Sequence, residues 1–129
     1  MGIPHVLYHA TPACYWPQIL REGIHAFAAV GRFRSALQNV YLSDSMGYAE
    51  TVALGKCQAF MLPMEIVVMK LKKKSIPGVR LVNPHEYVSN QGFQVIPAKS
   101  ICKAWRVRAE WRGVWQFERE RITEFLGEA

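Results

Sequence analysis

Three residues able to do chemistry sit in short, strand-like settings: a histidine in Leu7-Tyr8-His9-Ala10-Thr11, a tyrosine in Val40-Tyr41-Leu42-Ser43 and a carboxylate in Glu86-Tyr87-Val88. Imidazole exchanges hydrogen bonds near neutral pH, an aromatic face stacks on a planar ligand, and a carboxylate stabilises positive charge that develops beside it. Taken singly, each has a plainer reading. Glu86 could be a solvated loop carboxylate beside Asn83-Pro84, Tyr41 and Tyr48 could pack with their hydroxyls at the surface, and His9 could be a satisfied histidine near the core.

Elements that would position these residues follow from local pattern. Residues 4–9 read as a strand, and Thr11-Pro12 reads as an N-cap with proline in the first turn. The helix so begun has Trp16, Ile19 and Leu20 on one face and Gly23 as its stop. Residues 27–38 carry Gly31, Arg32, Arg34 and Ser35 without clear periodicity and read as a surface loop, either solvated or meeting a ligand through its arginines. In residues 39–43 alternation puts Val40 and Leu42 on one face and Tyr41 and Ser43 on the other. Ser43-Asp44-Ser45 then caps a helix with Met46, Ala49, Ala53 and Leu54 inward, ended by Gly55.

The second half is strand-rich. Ile66-Val67-Val68-Met69 is a β-prone run, followed by a turn at Lys72-Lys73-Lys74-Ser75 and Pro77-Gly78. The lysines at 70 and 72–74 read as a solvated strand end. Further short strands are expected over residues 79–82, 86–88, 93–96 and 101–111, and a final helix after Gly113 with Trp115, Ile122, Phe125 and Leu126. The pattern predicts a single α+β domain over residues 1–129, on a mixed or antiparallel sheet.

The 129 residues can bury one core without disulfides or metals. Sixteen Lys and Arg against ten Asp and Glu leave a charge of +6, which attracts anionic partners such as a nucleic acid or a dinucleotide. Cys14, Cys57 and Cys102 are an odd, widely spaced set that suits a reducing compartment, and no Cys/His cluster has zinc spacing. With neither a leader-like N-terminus nor an apolar run of spanning length, a cytoplasmic monomer without membrane contact and without a metal is expected.

In order and spacing, the three segments resemble the His-Tyr-Glu type of the ADP-ribosyltransferase superfamily. Leu7 to Thr11, followed by Ile19 and Glu22-Gly23-Ile24, is similar to its first motif. Val40-Tyr41-Leu42-Ser43 with Tyr48-Ala49 resembles the second, and Glu86-Tyr87-Val88 with Ile96 and Ile101 the third, as in the poly(ADP-ribose) polymerase catalytic core. The first two also look like those of tRNA 2′-phosphotransferases and of the DNA-targeting toxins, so toxin and phage settings come into view. The resemblance spans roughly residues 5–105.

The resemblance implies a split β-sheet core with few flanking helices, and NAD as substrate. Glu86 would hold the ribose and face the charge that builds as its bond to nicotinamide breaks. His9 would bond a ribose hydroxyl, the backbone of Ala10 the nicotinamide amide, and Tyr41 and Tyr48 would stack, with Thr11 beside them in the NAD-binding segment. The expected activity is mono-ADP-ribosyl transfer to a protein or nucleic acid, with Arg32 and Arg34 contacting the acceptor. Alternatives are NAD hydrolysis, RNA 2′-phosphate transfer, or a non-catalytic basic binding or inhibitor module. Two departures stand out. Ala10 replaces the glycine usual after the histidine, and Pro84 stands where arginine-modifying toxins carry Glu or Gln, which disfavours arginine as acceptor.

Overall fold

The computed structural model describes residues 4–25, 40–76, 78–88 and 95–123. Three strands form the centre of its larger sheet: β1 (Val6–Pro12), β4 (Glu65–Lys72) and β8 (Ile101–Trp111). On β4, Ile66, Val67, Val68, Met69 and Leu71 are all fully buried. A strand apolar at successive positions needs cover on both faces. It has it here.

On one face lie α1 (Trp16–Glu22) and a two-stranded ribbon of β2 (Ile24–His25) with β7 (Val95–Ile96). Leu7, Val67, Met69 and Leu71 pack there against Trp16, Ile19, Ile24 and Ile96. On the other face lies α2 (Met46–Ala59), whose Ala49, Ala53 and Cys57 meet Ala10, Ile66, Val68 and Val107. Such small residues let the helix axis approach the sheet closely. The remaining strands are β3 (Tyr41–Ser43), β5 (Arg80–Asn83), β6 (Glu86–Val88) and β9 (Trp115–Ile122), and the sheet order is β5-β6-β3-β1-β4-β8-β9. The expected α+β class is observed, and every described pairing is antiparallel, with no parallel pair of the kind a mixed sheet would have.

One junction in this sheet is thin. β1 pairs with β4 over seven registered residues but with β3 only at Tyr8↔Ser43. The sheet therefore parts between β1 and β3.

Four local expectations are corrected by strand pairing and packing. Thr11 and Pro12 do not start a helix. They continue β1 opposite Val67 and Ile66, a 3-10 turn follows, and Pro17 takes the early helical position in α1. Gly55 does not end α2, which runs on to Ala59. A mid-helix glycine costs ~1 kcal/mol relative to alanine, and full burial of Ala53 and Cys57 on either side of it outweighs that. The strand expected over residues 79–82 starts one residue later, at Arg80.

The final helix is replaced by β9. Gly113 adopts φ +80° in a turn closed by the Arg112 amide donating to the Val114 carbonyl, and residues 115–122 pair with 104–111. A glycine in that conformation reverses the chain, and the alternation of Trp115, Phe117, Arg119 and Arg121 then follows a strand. Phe125 and Leu126 lie outside the described residues.

Candidate functional site

The parting of β1 and β3 opens a cleft of about 370 Å³, partly open to solvent, walled on its far side by α2. Its lining includes His9 and Ala10 from β1, Tyr41 and Ser43 from β3, Glu86 from β6, and Tyr48 with Lys56 from α2. Residues spread over almost eighty positions of sequence thus meet in one cleft.

Backbone register explains the convergence. Ser43 pairs with Tyr8 on one side and with Glu86 on the other, so one cross-strand row joins β1, β3 and β6. On β3, Val40 and Leu42 are buried in the core beside α1, which turns Tyr41 and Ser43 to the opposite face, as alternation predicts. Glu86, opposite Ser43, shares their side. Ser45 begins α2 by accepting the Tyr48 amide through its Oγ, and Ser43 Oγ accepts the Ser45 amide. Tyr48, Val52 and Lys56 recur every four residues and form the flank over the cleft.

His9 bridges the parted strands. Its Nδ1 lies 2.8 Å from the Tyr41 carbonyl oxygen, which can only accept, so Nδ1 carries the proton and Nε2 is left as an acceptor. Burial lowers its pKa to about 4, the bond to Tyr41 opposes that shift, and the cation of Lys56 adds to it. The ring is neutral at physiological pH. Burial also lowers the Lys56 ammonium from its ordinary value.

A stability consequence follows from proton binding. Between pH ~6.5 and ~4 the unfolded chain protonates this histidine and the folded chain does not, so stability falls as pH falls through that window. Allowing for the ring's partial exposure, the loss should be about 2 kcal/mol. His9→Gln should flatten this part of the pH–stability curve measured by urea unfolding; an unchanged slope would mean the ring titrates as a solvated histidine.

Glu86 is held by its neighbours. His85 donates from Nδ1 to Asp44 Oδ1 at 2.9 Å, and the Tyr87 hydroxyl donates to Asp44 Oδ2 at 3.4 Å. One carboxylate thus grips the residues before and after Glu86. His85 itself adopts φ +69°, an uncommon conformation for a side-chain-bearing residue, as the chain turns from β5 into β6. Burial, and then the charge of Asp44, raise the Tyr87 phenol above its ordinary pKa, which keeps it a donor.

Of the residues singled out from sequence, His9, Ala10, Tyr41, Tyr48 and Glu86 all line the cleft. Thr11 does not; it is buried on β1. Arg32 and Arg34 lie outside the described residues. Sequence reasoning missed Lys56, which lies past the expected helix end at Gly55, and the grip of Asp44, which spans 41 residues. Among the described residues no group of three His, Cys, Asp or Glu side chains could hold a metal ion, and no helix is long and apolar enough to cross a membrane.

A second cavity of about 530 Å³ is lined by Pro12, Cys14, Leu62 and Pro63 together with Glu65 and Arg106, whose charges pair with each other at 3.2 Å. It offers less polar function than the cleft. No family model matches the chain, and no curated protein matches it.

Proposed function

We propose that the chain is a mono-ADP-ribosyltransferase that cleaves the nicotinamide–ribose bond of NAD and transfers ADP-ribose to a macromolecule, on an ADP-ribosyltransferase-like split sheet. One observation carries the reading. The histidine, tyrosine and glutamate of three separate sequence motifs line a single cleft where the sheet parts.

The donor set fits such a substrate. His9 Nε2 accepts a ribose hydroxyl, the Ala10 backbone pairs with the amide, and Tyr41 and Tyr48, both exposed to the cleft, present rings for stacking. Lys56 gives the cleft a cation suited to an anionic dinucleotide. Glu86 faces the positive charge that develops at ribose C1′. In the transfer the C1′–N bond breaks, its electron pair leaves on nicotinamide, and an acceptor nucleophile bonds C1′ and gives its proton to water.

The test is incubation of the purified protein with NAD labelled in its adenylate half, alone and with cell extract. Release of nicotinamide with label entering macromolecules is expected. Release without incorporation would make water the acceptor, and no release by folded protein would refute the proposal.

A further inference from the structure

The β8–β9 hairpin sorts its side chains by chemistry. Register pairs Trp111 with Trp115, Ala109 with Phe117, Val107 with Arg119 and Trp105 with Arg121. Since alternate residues share a face, this row carries rings and guanidinium groups and no carboxylate from either strand. Glu110, Glu118 and Glu120 all fall in the other row, where Arg108 pairs with Glu118.

The aromatic row is exposed where water should be costly. Trp111 is 61%, Trp115 45% and Phe117 44% exposed, and β9 is the outer strand of the sheet. Trp111 and Trp115 meet edge to face with centroids 5.3 Å apart, and Arg119 and Arg121 lie 5.7 and 5.9 Å from the rings of Phe117 and Trp105. Contiguous exposed rings mark a binding surface. This one lies on the α2 side of the sheet, because Trp105 and Val107 pack in the cluster of Ala53 and Cys57 and Arg119 bonds Glu50 on α2.

We infer that this face docks single-stranded nucleic acid. Charge complementarity selects the occupant. Neither strand contributes a carboxylate to this row; Glu50 of α2 already holds Arg119, so Arg121 over Trp105 and the chain's charge of +6 are what suit a polyanion, and exposed rings suit unpaired bases, which stack whatever the sugar. A duplex hides those base faces. That the docked strand is also the ADP-ribose acceptor rests on the function proposed above.

Binding of fluorescent oligothymidylate and oligouridylate of about 15 nucleotides, a site-sized length, should be measured at several salt concentrations, with a hairpin-free duplex and heparin as competitors. The single strands should bind, weaken as salt rises and outcompete duplex and heparin. Trp111→Ala and Phe117→Ala should each weaken binding about tenfold or more. Phe117→Leu, which keeps an apolar side chain but no flat ring, should weaken it too, and Gln116→Ala on the opposite face should leave it unchanged. Melting curves of each variant separate lost stacking from lost folding. Absent binding, equal competition by heparin, or parental affinity in Trp111→Ala and Phe117→Leu would overturn the inference.

Nicotinamide release by the same variants without oligonucleotide keeps the two readings apart, because the hairpin should not affect it. Binding without any NAD cleavage leaves the docking face standing and sinks the transferase. Label appearing in protein while no oligonucleotide binds sinks the docking face alone.

Discussion

Glu86→Gln is expected to lower turnover about a thousandfold while NAD still binds. At ~4 Å and an effective dielectric of ~20, a carboxylate and a full positive charge attract by about 4 kcal/mol, and 1.36 kcal/mol corresponds to about tenfold in rate. The amide keeps the shape and loses the charge, so the deficit belongs to the transition state more than to the ground state. Stopped assays of nicotinamide release and titration of NAD into the variant check both halves. Near-parental turnover would remove Glu86 from the reaction.

Asp44→Ala supplies the comparison. Asp44 touches His85 and Tyr87 and reaches the cleft only through the placement of Glu86, so it is a positioning residue. Its loss should slow turnover by roughly tenfold to a hundredfold, the scale of small misplacements, with little change in KM. Combined with Glu86→Gln it should add almost nothing, because a positioning residue has no effect once the positioned charge is gone. Full additivity would assign Asp44 to stability alone.

The largest effect on stability is expected at the pair joining α2 to β9. Arg119 holds Glu50 through two bonds, Nε to Oε2 at 2.9 Å and Nη2 to Oε1 at 2.6 Å, and Glu50 is only 6% exposed. Its carboxylate holds the Arg119 guanidinium above its ordinary pKa. Arg119→Ala leaves a buried carboxylate without its cation, which should cost about 2–3 kcal/mol, just under the ~3–5 kcal/mol of fully buried pairs because Arg119 is itself half exposed. Replacing both by methionine should recover most of that loss. Urea unfolding of Arg119→Ala and of the double methionine variant measures it. A loss below ~0.5 kcal/mol in Arg119→Ala would mean that water already screens the pair.

Much of the cleft was legible in sequence because its positions are local decisions. Alternation along residues 40–43 settles which way Tyr41 points, and the serine at position 45 caps α2 and so points Tyr48. Each depends on neighbours within a turn or a strand, where side-chain period and capping chemistry act.

What only tertiary structure decided depends on partners far along the chain. Thr11-Pro12 has the local form of a helix start, yet β4, more than fifty residues away, recruits it as strand. Residues 115–122 hold apolar side chains at both helical and alternating spacings, and β8 selects the strand by offering a ladder. Gly55 would stop a helix that had no sheet beneath it. The grip of Asp44 on both neighbours of Glu86, and the entry of Lys56 into the cleft, have no local signature. Propensity is worth tenths of a kcal/mol per residue, whereas burial of an apolar side chain or completion of a strand ladder is worth about a kcal/mol or more. Local chemistry therefore determined which way Tyr41 and Tyr48 face, and the parting of β1 from β3 decided that His9, which alternates with Tyr8 and Ala10, reaches Tyr41.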